Sequence, residues 1–371
     1  MRAGRGFTLV ELLMVIVILG MLVALLLPAV QSAVRAANAA ADASQIRSLT
    51  QALADFKSKY GAYPPSRIVI AEDGDYSDDN LDSIVDADGM KLGVLLKPRT
   101  LSYLRRFWPR LVLLTDGKKP PISGGWYDVN GDNALNPPYI LQGHECLALF
   151  LGGIPMKGDK DIWTMTGFGK DPANPFTSAS QPPVGQNWPF TTNRTPPLFE
   201  GTVKPATNSV GFSDYNRQNF YAYFSAYEGV GYDPDDVNLP EKDDDTGLVI
   251  LGAVQTTNAA TPKGNSARAD IVSSPTPNPY SNDAPMPITS AGALNLAERR
   301  RRINWQDQSF QIISAGQDGQ FGLGGQYAMK DTVTLPFYAA ATKSITGQTL
   351  TSAVRTPEKD NVTNFSPGRL Q

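Results

Sequence analysis

Gly6-Phe7-Thr8-Leu9-Val10-Glu11 opens an apolar run from Leu12 to Val30 that carries no charged or strongly polar side chain. At about 1.5 Å of rise per helical residue, that run is long enough to cross the hydrocarbon core of a bilayer. Arg2 and Arg5 precede it, which keeps the short N-terminal leader on the cytoplasmic side and sends the bulk of the chain outward. Glu11 alone breaks the apolar pattern, and a carboxylate at such a position costs roughly 2.5–3.5 kcal/mol on insertion scales. A residue that costly implies a partner or a purpose.

These residues resemble the processing site of type IV pilins and type II secretion pseudopilins. In that family a prepilin peptidase cuts after the glycine and methylates the new N-terminus, here Phe7, and Glu11 falls at the fifth mature position, where the family carries its glutamate. Gly20 and Pro28 coincide with positions where members often have glycine and proline. The stretch from Met14 to Gly20 is similar to the major pseudopilins. An ordinary secretory signal, cleaved near Ala37–Ala39, and a plain signal anchor share the basic start and apolar core. Neither accounts for a glutamate five residues beyond a Gly-Phe junction.

Beyond Pro28 the composition stays helical to about Tyr60. Ala36, Ala39, Ala43, Ile46, Leu49, Leu53, Phe56 and Tyr60 recur at three- and four-residue spacing, which places them on one helical stripe. A continuous helix from Phe7 would be ~80 Å long. Gly61, Pro64 and Pro65 end it. The expected organisation is a leader over 1–6, a long helix over 7–60 whose first part (7–30) lies in the membrane or a filament core, and an exported head over 61–371. The fold class is α+β: a long helix packed on an antiparallel sheet, with large loop insertions.

The rest of the chain narrows the chemistry. With 371 residues, 41% hydrophobic and 19% charged, it is globular in composition, and 33 Gly and 29 Pro signal long loops. A formal charge of −3 gives no basic footprint for nucleic acid. One cysteine, Cys146, excludes an intrachain disulfide, and one histidine, His144, excludes His-rich metal cages. His144-Glu145-Cys146 sits on a short expected helix, Glu145–Leu151, where neighbouring residues point to different faces; Cys146 reads as a packed apolar residue. No nucleotide loop, nucleophile elbow or zinc-protease helix is present. The chain reads as no enzyme.

Strands are expected at Leu111–Leu114, Phe220–Tyr227, Leu248–Val254, Phe310–Ser314 and Leu335–Ala341, with a further helix at Leu294–Ile303. The acidic runs at 72–88 and 233–245 read as solvated loops, and the Pro-rich stretches near 171–210 and 256–291 as surface insertions. Arg299–Arg302 reads as a solvated or carboxylate-paired face. Asp128, Asn130, Asp132 and Asn133 suit either half of a calcium loop or an Asx-rich turn. Ser314–Gly322 resembles the calcium loop of major pseudopilins, with Asp318 as a ligand and Asp360 or Asn361 completing the shell if the intervening segment loops out and returns. A Gly-Asp turn joining two strands without an ion is the other reading.

The resemblance implies a structural subunit held in the inner membrane by one span with its head exported. It would be matured by prepilin peptidase, passed to an inner membrane assembly platform, and joined to like pilin subunits in a pseudopilus or related filament in the periplasm or at the cell surface. A surface type IV pilin for adhesion or motility, and a tethered or secreted binding protein that does not polymerise, are the alternatives.

Overall fold

The computed structural model describes residues 9–84, 91–118, 125–158, 162–177, 193–215, 219–226, 308–316 and 360–366, with short pieces at 120, 122, 232, 236–237, 279–280, 306, 318–319 and 321. Strands at 240–242, 249–251, 332–339 and 344–351 are described by their backbone. The expected helix at Leu294–Ile303 and the basic run Arg299–Arg302 lie outside these residues.

One helix dominates. α1 runs unbroken from Leu9 to Tyr60, about 78 Å at the standard rise, and continues through Pro28. Gly61, at φ +79°, ends it with its N–H on the Lys57 carbonyl. Only its distal part is covered: Asp42, Ile46, Leu49, Ala52, Leu53 and Phe56 are buried, and Ala43 and Tyr60 pack at the edge. The expected stripe is therefore present from Ala43 onward, whereas Ala36 is exposed. Burying a side chain such as Leu53 or Phe56 stabilises by about 1.5–3 kcal/mol, so a few of them dock the helix.

Three further helices follow α1. α2 is a short turn of helix, Asp78–Leu81, and α3 spans Leu92–Phe107. α3 buries Leu92, Leu96, Thr100, Leu104 and Phe107, a three-to-four-residue stripe that survives Pro98 in its interior. α4, Gly143–Gly152, is buried along its whole length. At their junction Phe56, Phe107 and Phe150 meet edge to face, with ring centroids 5.0–5.8 Å apart, and Trp108 stacks on Phe150. Such contacts add about 0.5–1.5 kcal/mol each to the area they bury.

The strands form small antiparallel sheets around this helical centre. β1 (Ile68–Ile70) pairs with β2 (Tyr139–Leu141), β3 (Pro155–Lys157) with β4 (Trp163–Met165), β5 (Phe168–Gly169) with β6 (Arg194–Thr195), and β7 (Val203–Pro205) with β8 (Val210–Phe212). β9 (Ala222–Ser225) belongs to a three-stranded sheet described below. β10 (Pro240–Lys242) pairs with β11 (Val249–Leu251). β12 (Phe310–Ser314) is central in the order β15-β12-β9, where β15 is Val362–Thr363. Between β12 and β15 the chain makes a separate hairpin of β13 (Thr332–Ala339) and β14 (Ser344–Thr351). The strand expected at Leu111–Leu114 is reduced to one bridge, Asp75 to Leu114, because Tyr127 takes the Val112 backbone with its hydroxyl.

Within the acidic runs, Glu72 and Asp236 depart from the expectation of solvated loops, whereas Asp78 and Asp79 are exposed as expected. Glu72 is fully buried and accepts from the Val129 and Asn136 N–H groups, the Asn136 amide and the Tyr139 hydroxyl. Asp236 is equally buried in a bidentate pair with Arg99 at 3.1 and 3.2 Å, and also accepts from the Ser66 hydroxyl. The same Ser66 oxygen accepts the Ser225 N–H, so α3, the chain after α1 and β9 share one polar knot. A carboxylate leaves water only where donors replace its hydration, and both acids have them. The Asp128–Asn133 loop closes as Asx turns, with Asn130 accepting from the Asp132 N–H and Asp132 from that of Ala134.

The histidine, glutamate and cysteine of α4 are core residues. Gly143 starts the helix against β9, where a Cβ would stand 2.1 Å from the Tyr223 carbonyl. Cys146 is buried, its thiol against the Leu141 carbonyl at 3.5 Å. Burial pushes the Glu145 carboxyl up to about 7, although the Gln142, Asn208 and Ser209 N–H groups pull the other way. Burial draws His144 down to about 3; its ring packs on Phe220 at 4.8 Å and neither ring nitrogen has a hydrogen-bond partner among the described residues.

These neighbours oppose each other in pH. Glu145, raised from 4.5, contributes stability present below pH 4.5 and lost as pH rises through about 7. His144, lowered from 6.5, contributes stability present above pH 6.5 and lost as pH falls toward about 3. In the shared window the slopes are each roughly 1.4 kcal/mol per pH unit, of opposite sign, and cancel. Denaturant unfolding across that window should show, relative to the unaltered chain, His144→Leu losing stability with rising pH and Glu145→Gln gaining it.

Candidate functional site: the bare helix and its junction with the head

The first half of α1 presents apolar side chains on every face and the head covers none of them. Leu9 and Leu25 are each 78% exposed, and large apolar residues stay exposed as far as Val34. A helix that is apolar all round belongs in lipid or among other helices. α1 is the one helix among the described residues long and apolar enough to span a membrane. Glu11 lies in its first turn. A carboxylate there is favoured by the partial positive charge of a helix N-terminus. Gly20 has no atom within 4 Å of where a Cβ would stand, so no packing inside this chain requires a glycine there. Pro28 is inside the helix and removes one of its hydrogen bonds. The structure thus sets Glu11, Gly20 and Pro28 along one bare rod; Gly6 and Phe7 lie outside the described residues.

The rod enters the head at Asp42. Its side chain is 1% exposed, and it accepts from the Tyr215 N–H at 2.8 Å, the Ser314 hydroxyl at 3.3 Å and the Tyr221 hydroxyl at 3.4 Å. Tyr221 also donates to Gln45 at 2.5 Å. Burial raises the Asp42 carboxyl above its usual range, the donors lower it, and the nearby Asp360 raises it again. One side chain of α1 therefore gathers the loop after β8 and the end of β12. The available sequence signal was an acid four residues before Ile46 on the apolar stripe.

The C-terminal loop folds beside this junction. The chain leaves β12, forms the β13–β14 hairpin and returns, bringing Asp360 to the turn at Gly316–Gly319. Asp360 Oδ2 accepts the Asp318 N–H at 3.0 Å. Gly316, at φ +68°, admits no side chain, because a Cβ would lie 2.4 Å from the Asp360 carbonyl. Asn361 is fully buried; its amide nitrogen donates to the Phe321 carbonyl and the Tyr280 hydroxyl, and its oxygen has no hydrogen-bond partner among the described residues. Asp318, Asp360 and Asn361 are thus brought into one turn. Among the described residues no three His, Cys, Asp or Glu side chains converge to hold a metal.

Comparison with known proteins bears on the N-terminus. Residues 1–27 match the family model described as the prokaryotic N-terminal methylation motif. No curated protein and no solved structure matches the chain. The matched stretch contains the Gly6-Phe7 junction, Glu11 and Gly20, and it runs into the exposed apolar half of α1. The chain carries the leader signature of type IV pilins and pseudopilins, joined to a long N-terminal apolar helix and an α+β head.

Proposed function

We propose that this chain is a structural filament subunit, cut by prepilin peptidase between Gly6 and Phe7, methylated at Phe7 and held in the inner membrane until assembly. The observation that carries the reading is the coincidence of the methylation motif with an apolar helix that its own head leaves uncovered. Leader 1–6 stays cytoplasmic, 7–30 forms the span, and the head from 61 onward is exported. On assembly the helices exchange lipid for one another, and the heads face outward. Met14–Gly20 favours a type II secretion pseudopilus over a surface pilus, because it is the part most similar to major pseudopilins. Nothing in the reading calls for an enzymatic step by the subunit itself; its work is mechanical.

Glu11 is the assembly residue in this scheme. Cleavage frees an amino group on Phe7 one helical turn away, and the carboxylate can also meet the Phe7 amine of an incoming neighbour. In a medium of low dielectric such a pair attracts strongly, and either charge left alone is costly. Gly20 and Pro28 are weak points of the rod, glycine by about 1 kcal/mol relative to alanine and proline by its missing donor. Glu11→Leu should insert and fold normally yet fail to enter filaments. In a filament reconstruction the unaltered helix should loosen between residues 20 and 28. Normal incorporation of Glu11→Leu would overturn the pairing, and an unbroken helix there would overturn the loosening.

Calcium at the Asp318, Asp360 and Asn361 turn is the second element of the proposal. It is supported by the Asp360 carboxylate closing on the Asp318 N–H and by the buried Asn361 oxygen, which accepts no hydrogen bond from the described residues. An ion binding only the folded head would stabilise it by about 2.7 kcal/mol at one hundred times its dissociation constant. Thermal unfolding should therefore rise with calcium over chelator, and Asp360→Ala should abolish the difference. Coincident curves for the unaltered chain would remove the ion from the account.

A further inference from the structure

The head contains a cavity that the filament scheme does not use. It measures about 540 Å³ and lies between β4 and the segment after β6. Trp163, Met165 and Pro197 form its apolar wall, and Lys170, Arg194 and Glu200 its charged one. Its place in the fold is away from α1. Phe150 of α4 meets Phe56 of α1, whereas the end of α4 meets this region, with Leu198 donating to the Leu151 carbonyl and Gly152 against Met165.

Arg194 gives the cavity its chemistry. The residue is 8% exposed, and its guanidinium donates to three main-chain carbonyls: Nε to Thr166 at 2.9 Å, one terminal nitrogen to Thr177 at 2.5 Å and the other to Gly167 at 2.7 Å. Carbonyl dipoles satisfy these donors but do not neutralise the charge. No carboxylate among the described residues lies within ion-pair distance of it, and burial alone accounts for the lowering of its pKa. The contrast is Arg99, equally buried, which has the Asp236 carboxylate on both terminal nitrogens. A guanidinium has five N–H groups, so one on each terminal nitrogen of Arg194 remains beyond the three that hold the backbone of the described residues. Cavities of this size take small molecules, with few polar groups fixing orientation against an apolar wall.

We propose that this cavity binds a small organic carboxylate, the acid facing Arg194 and the apolar face of its carbon skeleton lying on Trp163. Two terminal N–H groups of arginine suit the two oxygens of a carboxylate. Acidic sugars and N-acylated amino acids share this chemistry: each joins a carboxylate to a compact body with an apolar face. The site belongs to the head alone, so it does not depend on assembly and stands or falls separately from the filament reading.

Isothermal titration of the full chain in detergent micelles, with glucuronate and with N-acetyl-leucine, tests it, glucose and N-acetyl-leucinamide being the neutral counterparts. At least one acid should bind with a dissociation constant of about 1 mM or tighter, a strength ordinary for a small ligand. Its neutral counterpart should bind about tenfold more weakly, since a charge-assisted pair is lost. The tighter acid identifies the source, sugar or acylated amino acid. Arg194→Gln should weaken binding by about tenfold, and Arg194→Lys should restore it only in part, because the ammonium lacks the planar fork. Arg194 also ties three carbonyls, so Trp163→Ala, at a half-buried position in the cavity wall, provides the second variant. It should weaken binding about fivefold while circular dichroism stays unchanged. No binding of either acid at about 10 mM, equal binding of acid and neutral counterpart, or binding unaffected in Trp163→Ala and in a folded Arg194→Gln would overturn the site.

Discussion

The head buries side chains of α1 fully only from Asp42 onward, and the helix as far as Val34 is left to find other apolar surroundings. From Leu9 to Val34 the helix offers side chains such as Leu9, Leu25 and Leu26 to whatever surrounds it. Water is the worst of the choices: apolar surface costs about 25 cal/mol for each Å² it exposes. Lipid and neighbouring helices of the same kind are the alternatives, and they are near enough in polarity for a subunit to pass from one to the other. Glu11 is costly in both. That makes it the residue through which such a passage could be controlled.

The distal half solves a different problem, a large head without a disulfide. Cys146 is a single buried thiol, so covalent bridging within the chain is excluded. Buried carboxylates take over the joining. Asp42 ties α1 to the loop after β8 and to β12, Glu72 ties the chain after β1 to the 129–139 segment, and Asp236 ties α3 and Ser66 to a distant part of the chain. Each anion is placed where several donors converge. Removing one acid would leave those donors buried without a partner, at about 1–3 kcal/mol for each. The aromatic cluster of Phe56, Phe107, Trp108 and Phe150 provides the apolar counterpart.

What the sequence disclosed follows from the range of the forces involved. The long helix, its bare first half and its apolar stripe were legible because period and hydropathy are local. The strand Phe310–Ser314 and the buried helix around Glu145–Leu151 were legible for the same reason, and the observed elements differ from those expectations by little. α3 was missed: Pro98 sits in its interior and Gly93 near its start, and tertiary burial of its Leu and Phe stripe outweighs both. Glu72 and Asp236 were misread because a carboxylate within an acidic run looks solvated until its distant donors are known. Arg99 lies 137 positions from Asp236, and Tyr139 lies 67 from Glu72. Asp42 escaped notice for that reason too, since Tyr215 and Ser314 reach it from far along the chain. The return of Asp360 to the Asp318 turn was legible only as a condition, that the segment between them loop out.

The filament reading rests on one cut. If the chain is a filament precursor, its first mature residue is Phe7, and the helix begins at a free, methylated amine one turn from Glu11. Mass spectrometry of the N-terminal peptide, from protein purified out of its own membranes, reads that residue directly. The account predicts N-methyl-Phe7 as the first residue, with Gly6→Val leaving the leader in place. An N-terminus beyond Ala33, or an intact unmethylated leader on the native protein, would contradict it.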